Sequence, residues 1–71
     1  MNKDDTRKIK ETIEQTLAEF NSPSVNYVVY TWQGEDIPGE ILEKLAQDIT
    51  KRGYPVIKQN AKGMIIGRPQ S

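Results

Sequence analysis

The chain has 71 residues, no cysteine and no histidine, and ten basic residues that balance ten acidic ones to a formal net charge of zero. That length allows one small domain, residues 1–71, whose core is too limited for more than marginal stability. Composition excludes a disulfide scaffold and a zinc site built on thiolate or imidazole, which leaves tight packing or self-association to supply the missing stability.

The stretch from Met1 to Asp5 has no apolar run, so no signal peptide is expected. No apolar stretch approaches the roughly 20 residues of a membrane span. Together these point to a cytoplasmic chain with no membrane partner. Residues 1–4 and 69–71 are expected to be flexible ends.

From about residue 5 to residue 20 the spacing predicts an amphipathic helix. Ile9, Ile13, Leu17 and Phe20 fall on one face, Asp5 or Thr6 is placed to cap the start, and the residue before Pro23 is pushed out of helical geometry. The charges of this helix run against its dipole, with Arg7, Lys8 and Lys10 early and Glu14 and Glu19 late. Pairs at i, i+4 make that tolerable.

Val25 to Trp32 reads as a strand rich in β-branched and aromatic residues. Neither of its faces, Val25-Tyr27-Val29-Thr31 or Asn26-Val28-Tyr30-Trp32, is polar throughout, although a sheet covered on one side should alternate. After a turn at residues 33–36, a second helix is predicted from about Pro38 to Arg52. Its apolar face is Ile41, Leu42, Leu45, Ala46 and Ile49, and Gly53 terminates it. Two short strands follow, Tyr54 to Gln59 and Met64 to Gly67, joined by the hairpin residues Asn60-Ala61-Lys62-Gly63.

The order α-β-α-β-β implies an α/β (α+β) two-layer sandwich, with both helices on one face of a three-stranded mixed sheet. Pro55 and the polar Lys58-Gln59 suit an edge strand, and Met64-Ile65-Ile66 suits the centre. The preferred strand order is therefore 2-3-1, with the last strand antiparallel to both neighbours; the alternative is 1-2-3.

Catalytic apparatus is sparse. The commonest general base and the best nucleophile are both missing, and Ser22, Ser24 and Ser71 lie outside any nucleophile elbow. Glu35, Asp36 and Glu40 gather at a turn and helix start, where the dipole favours acids. The Gly34 to Gly39 spacing lacks the lysine and hydroxyl residue of a phosphate loop. No enzyme activity, cofactor, metal or small-molecule substrate is expected.

Two readings of function remain. All ten acids lie at or before Asp48, with five basic residues, a balance of −5, whereas Lys51 to Ser71 carries five basic residues and no acid. Lys51, Arg52, Lys58, Lys62 and Arg68 are thus candidates for an anionic partner, nucleic acid foremost, with Tyr27, Tyr30, Trp32 and Tyr54 available for stacking. Neither the aromatic strand pattern of an RRM nor a KH loop accompanies them. The plain alternative is that the two ends of the chain neutralise each other on folding. The second reading is a protein-interaction or regulatory module, in homodimeric form or with another protein, that uses Tyr30 and Trp32 on the sheet as its interface.

Overall fold

The structure, a computed structural model, describes residues 2–69. Met1 and the last two residues of the expected tail, 70 and 71, lie outside the described residues. The elements are α1 (Lys3–Leu17), a 3-10 turn (Ala18–Asn21), β1 (Tyr27–Thr31), α2 (Gly39–Lys51), β2 (Val56–Asn60) and β3 (Gly63–Gly67).

Helix α1 begins earlier than its apolar pattern indicates, because Asn2 caps it. The Asn2 side chain accepts from the Asp5 N–H at 2.8 Å. Lys3 and Asp4, expected in a flexible end, therefore form the first turn, and Asp4 and Asp5 sit where the dipole favours acids. At the other end of the molecule's helical layer, α2 closes with a Schellman motif. Gly53 adopts a φ of 97°, its N–H bonds to the Thr50 carbonyl, and the Tyr54 N–H bonds to the Ile49 carbonyl. That second bond and the following Pro55 hold Tyr54 outside β2, so the strand starts at Val56.

The sheet order is β1-β3-β2, with β3 central; read from the opposite edge this is 2-3-1. Both ladders are antiparallel, which corrects the expected mixed sheet. The edge strands β1 and β2 do run parallel to each other, but β3 lies between them and no parallel pair is hydrogen-bonded. Val28 and Tyr30 of β1 stand opposite Ile66 and Met64 of β3, and all four are buried. Ile9, Ile13, Leu17 and Phe20 cover them from α1 and its 3-10 extension, and Leu42, Leu45 and Ile49 do so from α2. Both helices thus lie on one face. Among the described residues no helix is long and apolar enough to cross a membrane.

The β2–β3 turn is pressed against β1 and the chain leading to α2. The Trp32 N–H donates to the Lys62 carbonyl at 2.7 Å, and the Ile37 N–H donates to the Ala61 carbonyl at 2.8 Å. Gly63 makes this approach feasible. Its φ is 153°, and a Cβ there would lie 1.9 Å from the Tyr30 carbonyl oxygen. Gly63→Ala is expected to lower stability by roughly 2 kcal/mol or more in urea denaturation. Gly39→Ala is the control, since nothing lies within 4 Å of the added methyl, and it should be neutral or stabilising by up to about 1 kcal/mol.

Candidate interaction surface

The ladders decide which side chains face away from the helices. With Val28, Tyr30, Met64 and Ile66 inward, period-2 alternation turns Tyr27, Val29 and Thr31 of β1 and Gly63, Ile65 and Gly67 of β3 outward. On β2, Lys58 pairs with Ile65 and Asn60 with Gly63, and a bulge between Val56 and Lys58 inserts Ile57 on the same outer side. Ile57 lies beside Gly67, where a Cβ would meet its Cδ1 at 3.3 Å.

No second layer covers this face among the described residues. Tyr27, Val29 and Ile57 are 60%, 57% and 63% exposed. Because β3 contributes glycine, isoleucine and glycine to it, the face is a trough. Its walls are Tyr27, Val29 and Thr31 on one side and Ile57, Lys58 and Asn60 on the other. At the Gly63 end the trough opens into a depression of about 210 Å³, lined in part by Val29, Thr31, Lys58 and Ile65. A second, wider groove of about 580 Å³ runs between α2 and β2, and Lys51 and Lys58 are among its lining residues.

The aromatic residues expected at an interface lie elsewhere. Tyr30 is only 3% exposed and belongs to the core. Its hydroxyl lies 2.7 Å from Thr12 Oγ1, which in turn bonds to the Lys8 and Ile9 carbonyls; both hydroxyl protons are used when Tyr30 donates to Thr12. Burial raises the Tyr30 phenol above its ordinary value, against a smaller opposing effect of the Thr12 hydroxyl. Trp32 is half-buried against the core, with the backbone of Gly34 so close to its indole that a Cβ there would be 2.7 Å from Nε1. Its Nε1 is buried without a hydrogen-bond partner among the described residues. Tyr54 stacks on Phe20 at 5.6 Å between ring centroids.

Three of the five basic candidates are engaged within the fold. Arg52 makes a bidentate pair with Glu14, whose carboxyl is held below its ordinary range by that hydrogen bond, with burial working the other way. Lys62 reaches Asp36 at 2.9 Å and the Gly34 carbonyl at 3.1 Å. Arg68 donates from Nε to the Val25 carbonyl at 2.6 Å and from Nη2 to the Ser22 carbonyl, with its guanidinium 5.6 Å from the Phe20 ring centroid. Lys51 and Lys58 have no ion-pair partner among the described residues. Of the five basic candidates, these two lysines are the ones with no intramolecular side-chain hydrogen bond or ion pair among the described residues.

Among the described residues no group of three or more metal-ligating side chains is gathered. The residues that sequence reasoning passed over are Val29, Ile57 and Ile65. The alternation of the first strand did carry a signal, but each of its faces holds aromatic and apolar side chains, so the strand could not show which one was inward. No protein-family model, curated protein or solved structure matches this chain.

Two substitutions check these placements. Arg68→Lys is expected to cost roughly 1–2 kcal/mol of stability in urea denaturation, because an ammonium cannot replace the guanidinium at both carbonyls and over the ring. Tyr30→Phe should cost about 1 kcal/mol near neutral pH through the lost hydrogen bond. The raised phenol pKa stabilises the fold fully below pH 10, the ordinary value, and that contribution is lost as pH rises through the folded value. The deficit of the phenylalanine variant should therefore shrink in a denaturation series as pH is raised above 10.

Proposed function

We propose that this domain is a non-catalytic protein-interaction module whose open sheet face receives an apolar protein segment bearing a carboxylate. The observation that carries this reading is the gathering of Tyr27, Val29 and Ile57, each more than half exposed, around Ile65 on a face without a second layer. A contiguous apolar surface of this kind marks an interaction site more often than chance exposure does. Lys58 stands in the wall of the trough, directly opposite Ile65, without a carboxylate partner among the described residues. An acidic group on the partner would complement it and fix the partner's register.

Nucleic acid is less well served by the same geometry. Arg52, Lys62 and Arg68 are held by intramolecular partners, and of the aromatics proposed for stacking only Tyr27 is mostly exposed.

The test is selection of displayed random peptides on the immobilised domain. Enriched sequences should combine apolar residues with aspartate or glutamate and lose about tenfold in affinity on Ile57→Asp. Lys58→Glu should shift the selected charge from acidic to basic. No enrichment, or peptides indifferent to Ile57→Asp, would overturn the reading. Salt-sensitive binding of a short single-stranded oligonucleotide that survives Ile57→Asp would replace it with the nucleic-acid one.

A further inference from the structure

The two edges of the sheet are built differently. At β2, Pro55 precedes the strand, a bulge interrupts it at Ile57, and Lys58-Gln59-Asn60 completes it. Proline, bulge and lysine are the devices that stop an edge from pairing with another chain. The β1 edge, Tyr27-Val28-Val29-Tyr30-Thr31, has none of them. It is a regular, uncharged strand of residues with high β propensity.

The phase of the β1–β3 ladder shows which backbone groups this edge presents. The Arg68 N–H donates to the Asn26 carbonyl and the Trp32 N–H to the Lys62 carbonyl. Residues 26 and 32 therefore belong to hydrogen-bonded pairs, and antiparallel alternation assigns 28 and 30 to the same set. The N–H and C=O groups of Tyr27, Val29 and Thr31 point the other way, off the free edge. Among the described residues no turn, loop, cap or side-chain hydrogen bond uses them.

This arrangement is self-complementary. An antiparallel copy of β1 placed on a two-fold axis at Val29 sets Val29 against Val29 and Tyr27 of each copy against Thr31 of the other. Every outward backbone group of the strand then gains a partner. The same register places Val28 beside Tyr30 of the second copy on the helix side and keeps Tyr27, Val29 and Thr31 of both copies on the open side. We infer that the chain forms a two-fold dimer through its β1 edges, joining two three-stranded sheets into one continuous antiparallel sheet.

The pairing uses backbone groups of the β1 edge, and it does not depend on what the open face binds. Its consequence for that face is that two troughs lie side by side on one surface.

The test exploits the self-pairing of position 29. Val29 is 57% exposed, so charged side chains fit there without disturbing the core. Sedimentation of the wild-type chain should show a concentration-dependent dimer. Val29→Lys and Val29→Glu should each sediment as monomers, because like charges then stand directly opposite at the axis, and an equimolar mixture of the two should restore the dimer. Ile57→Asp, on the far wall of the trough, should leave the dimer intact while lowering peptide affinity about tenfold, which separates this inference from the face reading. A wild-type chain that stays monomeric up to about 1 mM would overturn the inference. So would single variants that dimerise as the wild type does, or folded variants that fail to re-associate when mixed.

Discussion

At Gly63 the chain passes so close to β1 that a single methyl group would overlap the carbonyl oxygen of Tyr30. The remainder of the architecture follows from that approach. With Gly63 against Thr31, the β1–β3 register brings Met64 and Ile66 under the helices and turns Ile65 outward. The same approach brings the carbonyls of Ala61 and Lys62 to the N–H groups of Ile37 and Trp32, which anchors the connection from β1 to α2. Ile37 is buried there, and α2 begins two residues later. A turn that looks like a surface hairpin is thus a junction between three segments of the chain.

Part of the division of charge along the sequence is answered inside the fold, by two ion pairs. Arg52 with Glu14 and Lys62 with Asp36 both join the basic final segment to the acidic segment before it. Exposed pairs of this kind contribute only about 1 kcal/mol or less each, so they do not hold the domain together. Their significance lies elsewhere, since they remove cations from the pool that could meet an external anion. Arg68 keeps its charge and commits its donors to neutral carbonyls. Its guanidinium ties the Ser22 and Val25 carbonyls to the end of β3, so its role is to secure the loop that feeds β1.

Element order, the facing of both helices and the central place of β3 were legible because each rests on short-range signals. These are the i, i+4 spacing of Ile9, Ile13 and Leu17, the terminator at Gly53, and the contrast between Pro55-containing and Met64-Ile65-Ile66 segments. The start of α1 was misplaced because one asparagine side chain, outside the apolar period, sets it. The candidate site was less legible. Tyr30 carries a hydroxyl and sits on a two-sided strand, so its place in the core follows from long-range partners, Met64 across the ladder and Thr12 in α1. Nothing in the sequence marks out Ile57, and the bulge that sets Ile57 and Lys58 together on the outer side arises from the pairing of β2 with β3. Burial face and ion-pair partner are long-range properties, and one sequence contains them only implicitly.

Tyr27 and Val29 tie the two surface properties of the molecule together. Their side chains line the open face, and their backbone groups form the unguarded edge, so apolar character at these positions favours both burial of the face and pairing of the edge. A domain selected only to remain a lone soluble unit would place lysine or glutamate at one of them, at little cost to its core, as it does with Lys58 on the opposite edge. On the β1 edge the chain instead keeps tyrosine, valine and threonine in the outward positions. The β1 edge lacks every one of the devices that discourage strand pairing, whereas the β2 edge carries a proline, a bulge and a lysine.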